Sequence, residues 1–390
     1  MVTKQFRYIP LYNTLFLSLL FVSSFVFGAP ALIPSPPQVS ASSYILMDAI
    51  SGDILVEEDS HKRLPPASLT KMMTAYIVEH EVAEGRINLY DEVPISVKAW
   101  KTGGSKMFIK EGTKVVLEDL LKGVIIQSGN DASIALAEYV AGSELAFADI
   151  MNQQAKLLGM KNTNFENATG LPSENHYSTA YDLALLAKAI ILNYPEQYTL
   201  YAEKYFTYNN IRQPNRNRLL WRDKSVDGLK TGHTEEAGYC LVASAERDGM
   251  RLISVVMGTK SENARAQESQ KLLNYGFRYY ETHTLYESGT SLIESPVWLG
   301  LAEKVQLGLS EKVVVTIPRG QKANLKAELV VDPIVKAPVN IGQNIGQLEV
   351  TLKDDVVVSE PLVALEPVPE AGFFKRLWDS IKLFFIGLFS

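Results

Sequence analysis

The sequence predicts an α+β chain: an antiparallel sheet interrupted by a helical insert, then a small all-β domain and a C-terminal amphipathic helix. Three observations carry this. Strand-type apolar runs at 44–57 and 239–257 flank a block whose apolar residues recur at helical spacing. After residue 285 the chain changes to short β-rich runs separated by Gly and Pro. The last twenty residues place large aromatics and basic residues on opposite faces of one helix.

The chain has 390 residues and a formal net charge of −6. This length suits a large domain or two or three smaller ones. No long basic run occurs, which argues against nucleic acid as a partner. The single cysteine, Cys240, excludes an internal disulfide and a Cys-rich zinc site. It lies in the apolar run Tyr239-Cys240-Leu241-Val242-Ala243 and reads as a buried structural thiol. Lys4 and Arg7 precede an apolar stretch from Leu15 to Phe27, with Gly28 and Ala29 after it. Residues 1–29 therefore read as a secretory signal peptide, and the protein as exported.

Residues 30–42 are a Pro-, Ser- and Ala-rich lead-in. The runs 44–48 and 53–57 flank Ala49-Ile50-Ser51-Gly52, a hairpin pattern. Pro65-Pro66-Ala67-Ser68 then leads into a helix expected to start at Ser68 and to run to about Ala83. Residues 85–113 are turn-rich and contain Gly103-Gly104, either a mobile loop or a plain turn. Helices are expected from about 116, over 130–141, over 144–158 and over 179–192. Strands follow at 239–245 and 250–257, joined by Arg247-Asp248-Gly249, and a helix at about 263–280 closes the block. The domain limits are 30–284 for this first domain and 285–368 for the all-β one. In the remaining 369–390, Phe373, Phe374, Leu377, Trp378, Ile381, Phe384, Phe385 and Leu388 line one face, and Lys375, Arg376, Asp379 and Lys382 the other. Charges interrupt the apolar run, so the segment 371–390 is expected to lie on a membrane surface, not to span it.

The chemistry starts at Ser68-Leu69-Thr70-Lys71. Residues three apart share a helical face, so the Ser68 hydroxyl and the Lys71 amine meet. A serine hydroxyl needs a base, and a lysine serves only if burial or nearby cations lower its pKa. Alone, the tetrapeptide is equally a helix start with a solvated lysine. Two further motifs follow in order, however: Ser128-Gly129-Asn130 at a break between helices, and Lys230-Thr231-Gly232 expected to precede a strand. Ser-x-x-Lys, Ser-x-Asn and Lys-Thr-Gly together mark penicillin-binding proteins and class A β-lactamases.

The chain resembles the low-molecular-mass penicillin-binding proteins of the D-alanyl-D-alanine carboxypeptidase type (peptidase family S11). The resemblance is carried by residues 123–132, by 211–221 (Ile211-Arg212-Gln213-Pro214-Asn215-Arg216-Asn217-Arg218-Leu219-Leu220-Trp221) and by 226–234. It covers nearly everything after residue 29 and implies a serine β-lactamase/transpeptidase-like first domain. It further implies a location on the periplasmic face of the inner membrane. The implied partners are peptidoglycan stem peptides ending in D-Ala-D-Ala and β-lactam antibiotics, with no cofactor or metal. Position by position, Ser68 would be the nucleophile, Lys71 its base, and Ser128 the relay to the leaving amine. Asn130, Lys230 and Thr231 would hold substrate beside Gly232. The backbone N–H groups of Ser68 and His233 would form the oxyanion hole. Arg265 would bind carboxylate.

The residues also weigh against rivals. No Gly-x-Ser-x-Gly elbow occurs, and His80-Glu81 lacks a second histidine at metallopeptidase spacing. His176, in Asn175-His176-Tyr177-Ser178-Thr179, reads as structural. A β-lactamase would need a carboxylate for its deacylating water, and the surroundings of Glu166 do not match that family's loop. A DD-endopeptidase stays open. A non-catalytic wall-binding or penicillin-sensing protein would be expected to lack Ser68 or Lys71.

Overall fold

The computed structural model describes residues 33–389; the expected signal peptide lies outside them. The first block opens with β1 (Ser43–Asp48), β2 (Ile54–Glu58), α1 (Lys71–Ala83), β3 (Glu92–Pro94), α2 (Val97–Lys101) and β4 (Lys114–Val116). Four helices follow: α3 (Leu117–Ile125), α4 (Asn130–Ala141), α5 (Glu144–Leu157) and α6 (Ala180–Asn193). Next come α7 (Pro195–Tyr198), the hairpin β5 (Tyr205–Tyr208) and β6 (Ile211–Pro214), and α8 (Leu219–Arg222). The block ends with β7 (Val226–Thr234), β8 (Gly238–Arg247), β9 (Met250–Thr259) and α9 (Glu262–Tyr279).

The main sheet has the order β2-β1-β9-β8-β7, antiparallel throughout. The N-terminal hairpin thus completes a sheet whose other three strands begin only at Val226. Strand side chains alternate between faces. Ile45, Met47, Val242, Ile253, Val255 and Met257 enter one core with α1 and α3–α6. Tyr44, Leu46, Leu241, Ala243, Leu252 and Val256 enter a second core with α9. Both faces are covered, which is why these strands read as continuous apolar runs, not as alternating ones. Cys240 is buried in the first core.

Two expectations are corrected. Ser68 does not open the α-helix: it lies in a 3-10 turn, Ala67–Thr70, and α1 begins at Lys71. Ala67 there takes φ +47°, which an α-helix cannot accommodate. Lys230-Thr231-Gly232 does not precede a strand but lies within β7, because the whole segment pairs with β8. The turn-rich stretch 85–113 also contains β3 and α2.

Helix α1 is buried on all sides from Lys71 to Glu79, so it is a central core helix without a solvent face. Glu79 accepts a hydrogen bond from the Tyr201 hydroxyl at 3.1 Å. Burial pushes its carboxyl up to about 8 and keeps it neutral near pH 7.

The second block comprises β10 (Tyr280–Tyr286), β11 (Ser291–Trp298), β12 (Lys304–Gly308), β13 (Val313–Pro318), β14 (Leu325–Val331), β15 (Val335–Lys336), β16 (Asn344–Leu352) and β17 (Asp355–Ala364). Six of these form the sheet β14-β16-β17-β12-β11-β15, and β10 pairs with β13. Strand β10 straddles the 284/285 limit drawn from sequence. The β1–β2 turn docks on this pair through Ser51 Oγ and Thr316 Oγ1 at 2.8 Å, and through Thr316 N donating to Asp53 at 3.1 Å.

Helix α10 (Phe373–Phe389) ends the chain. Its expected polar face is partly turned inward: Asp379 is buried and accepts from Leu299 N at 3.0 Å, and Lys375 donates to the Gly300 carbonyl at 2.7 Å. Phe373, Phe374, Leu377, Trp378, Ile381, Phe384 and Phe385 are exposed. Among the described residues, no helix is long and apolar enough to cross a membrane.

Candidate active site

The 3-10 turn sets the first pair. Side chains three apart eclipse in a 3-10 turn, and Lys71 Nζ lies 3.3 Å from Ser68 Oγ. The amine also donates to Asn130 Oδ1 at 2.7 Å and to the Thr169 carbonyl. Those two oxygens can only accept, because Asn130 turns its Nδ2 to the Gly103 carbonyl at 2.7 Å. A neutral amine has two N–H groups and one lone pair. Two hydrogens are taken, so the lone pair is left for the Ser68 hydroxyl. Lys71 is fully buried and, among the described residues, makes no ion pair. Burial first, and the Arg216 charge second, lower its amine to about 7, while Asp131 opposes them.

The turn is held from three sides. Thr70 Oγ1 meets His176 Nε2 at 2.7 Å, and His176 Nδ1 accepts from Glu166 N at 3.0 Å. Burial lowers the imidazole to about 4, so His176 is neutral and structural. Gly170, at φ +79°, sits so close that a Cβ would stand 1.8 Å from the Ala67 carbonyl oxygen. Gly232 of β7 presses on the other side, where a Cβ would lie 3.0 Å from the Pro66 carbonyl. That contact brings β7, and with it His233, against the Ser68 turn.

Ser128 is buried at φ +65°, and its Oγ has no hydrogen-bond partner among the described residues. Such a backbone is costly for a non-glycine residue and is typical of functional sites. Asp131, in the first turn of α4, accepts from the N–H groups of Met107, Phe108 and Ile109 and so fixes the loop they belong to. Gly103-Gly104 belongs to the same stretch and lies against Asn130. Gly103 receives Asn130, and a Cβ on Gly104 would lie 2.6 Å from Asn130 Nδ2.

On β7, Lys230 is buried and donates to the Thr231 carbonyl at 3.1 Å. Burial pushes its amine well down, and Lys71, Arg216 and Arg265 add to the shift. Thr231 is buried beside it. Arg265, on α9, reaches the back of this strand and donates to the Gly232 carbonyl at 3.1 Å. His233 is exposed and stacks on Tyr239 with ring centroids 3.8 Å apart. Ser68, Lys71, Asn130, Lys230 and Arg265 therefore converge in space from four separate segments.

Sequence reasoning did not single out three participants. Arg216 donates to the Gln127 carbonyl at 3.1 Å, next to Ser128, and its charge acts on both lysines. It lay inside the family-like stretch 211–221. Thr169 acts through a backbone carbonyl, which leaves no trace in residue type. Gly170 was one of many glycines. Among the described residues no cluster could hold a metal ion.

The fold and site define a serine acyl-transfer protein of the Ser-x-x-Lys type. Comparison with known proteins gives the family. Residues 31–261 match the D-alanyl-D-alanine carboxypeptidase (peptidase S11) family, and residues 280–370 match the penicillin-binding protein 5 C-terminal domain. D-alanyl-D-alanine carboxypeptidase DacC of Escherichia coli is 48% identical over 357 residues, covering 90% of this chain and 89% of that protein. DacA of the same organism is 44% identical over 91% and 90% of the two chains. Penicillin-binding protein 5 from Haemophilus influenzae superposes with a TM-score of 0.84 at 44% identity, covering 86% of this chain and all of that one. The chain belongs to the D-alanyl-D-alanine carboxypeptidase family.

The Gly170 contact gives a test of site geometry. Gly170→Ala is expected to displace the Ala67 carbonyl and with it Ser68. The acylation rate by benzylpenicillin, read in stopped flow, should fall about a hundredfold. Circular dichroism should keep its native form. Wild-type acylation would show that this contact does not set the nucleophile.

Proposed function

We propose that this protein is a serine DD-carboxypeptidase that removes the terminal D-alanine from peptidoglycan stem peptides through an acyl-enzyme on Ser68. The observation that carries the reading is the buried Lys71 amine, without an ion pair among the described residues and 3.3 Å from the Ser68 hydroxyl. Ser68 Oγ attacks the carbonyl between the two D-alanines, and its proton passes to Lys71. The N–H groups of Ser68 and His233 stabilise the oxyanion. As the C–N bond breaks, Ser128 gives its proton to the departing amine and takes one from the protonated Lys71, which is thereby a free amine again. Water then cleaves the ester, with Lys71 again the base. Asn130 orients the substrate amide. Lys230 and Thr231 receive the terminal carboxylate, and Arg265 supports them by holding the Gly232 carbonyl and adding charge. β-Lactams acylate the same serine because their strained amide occupies the place of the scissile bond.

One observation speaks against a β-lactamase. The Glu166 carboxylate accepts from the Ser173 hydroxyl and from Asn175 N, so it is engaged within its own loop. That lowers its pKa, and it leaves the deacylating water without a free carboxylate there.

The reading includes a site of action: export through the 1–29 segment to the periplasmic face of the inner membrane, with α10 lying in the interface. The exposed aromatic face of α10 supports it. Removal of 371–390 should shift the protein from membrane pellet to supernatant in cell fractionation; unchanged pelleting would contradict the anchor.

Intact mass after benzylpenicillin, with D-alanine release from a diacetyl-Lys-D-Ala-D-Ala peptide, tests the function. A Ser68 adduct with release is expected. Lys71→Arg should abolish both, because guanidinium keeps its proton. Penicillin consumption without an adduct would mean a β-lactamase, and normal acylation of the arginine variant would remove Lys71 as base.

A further inference from the structure

Beside the catalytic cleft lies a basic and aromatic surface that the mechanism uses only at its inner end, through Arg216. A groove of about 270 Å³ is lined by Gln127, Pro214, Arg216, Arg218 and Glu262 among others. Its inner end is the Gln127–Arg216 contact next to Ser128. Its outer end continues onto the β5–β6 hairpin. There Tyr205 stands opposite Pro214 in register, and Arg212 lies two residues before Pro214, on the same face. The Arg212 guanidinium lies 3.8 Å from the centre of the Tyr205 ring. Trp221 meets Tyr205 edge to face at 5.8 Å. Tyr205 and Trp221 remain 45% and 43% exposed.

Charge makes the surface unusual. Arg212, Arg216, Arg218 and Arg222 fall within one short stretch of a chain whose net charge is −6. Among the described residues one carboxylate pairs with them, Glu262, at 2.6 Å from Arg218; Arg222 binds a neutral amide, Asn263, at 2.6 Å. Exposed aromatic rings offer apolar faces to sugar rings, and arginines bind carboxylates bidentately. Arg216 also acts on the Lys71 amine, but neither the Ser68 chemistry nor the core needs Tyr205, Arg212, Arg218, Trp221 or Arg222 where they are.

We propose that the Tyr205–Arg212–Trp221 face, continuous with the cleft through Pro214 and Arg216, is an accessory binding surface for the peptidoglycan polymer. It takes the saccharide rings on the aromatics and the carboxylates of a stem on the arginines. The inference rests on the reading of the site as a peptidoglycan carboxypeptidase and goes beyond it. The cleft handles the end of one stem, whereas this face holds the polymer that bears it. The enzyme therefore gains on polymer relative to a short peptide.

The test uses the full chain and the variants Arg212→Glu and Trp221→Ala, both at exposed side chains. Co-sedimentation with insoluble peptidoglycan should weaken by about fivefold in each variant and weaken with added salt in the wild type. The kcat/KM for D-alanine release from pentapeptide-bearing sacculi should fall to a similar extent. Release from diacetyl-Lys-D-Ala-D-Ala should stay at the wild-type rate. Wild-type sedimentation of both variants would overturn the proposal. So would loss of binding to anionic phospholipid vesicles with wall binding intact, which would assign the face to lipid. If the wild type fails to release D-alanine from the short peptide, the functional reading fails, while sedimentation still decides the surface.

Discussion

Everything around the site depends on one unfavourable arrangement: a lysine amine buried in the protein interior without a counter-ion. Burying a charge unpaired is among the costliest things a fold can do, and the usual relief is to shed the proton. In the proposed mechanism that relief supplies the base for Ser68. The amine is surrounded by carbonyl oxygens and remote cations, with no carboxylate in contact. Asp131, the acidic residue that acts on it most, is occupied by loop N–H groups. Arg216 raises the cost of protonation further. An ion pair at this position would hold the lysine protonated and leave it no lone pair with which to act as a base.

The surrounding architecture meets this constraint. Helix α1 is buried all round, so Lys71 has no path to solvent along its own helix. The strained Ala67 and Ser128 backbones are held by neighbours on every side, by Gly170 and Gly232 at the first and by the Asp131-fixed loop at the second. Strain of this kind persists only where the rest of the fold over-determines it. The two-faced sheet supplies that rigidity, and the hairpin β1–β2, docked on β13, ties its far edge to the β domain.

Much of this was legible in the chain. The hairpin at 44–57, the helices from 117 to 192 and the strands at 239–257 followed from periodicity, because packing there agrees with local preference. The three motifs brought out Ser68, Lys71, Ser128, Asn130 and Lys230 since their chemistry lies in side-chain type. What was not legible lies in the backbone. The 3-10 turn at Ser68, the placement of Lys230 inside β7, the Thr169 carbonyl and the Gly170 approach are set by tertiary contacts. Asp379 was placed on the polar face of the last helix, and its burial was not foreseen, because helical spacing says which residues share a face, not which face meets the β domain.

The central claim is that Lys71 is a neutral amine at working pH. The direct measurement is the titration of its Nζ, followed by NMR in protein carrying isotope-labelled lysine, with Lys71→Arg to assign the signal. The account predicts a midpoint near the value of about 7 that burial and Arg216 impose. The free amine would then be the major form above that pH. A midpoint at the ordinary lysine value would leave Ser68 without its base and contradict the account.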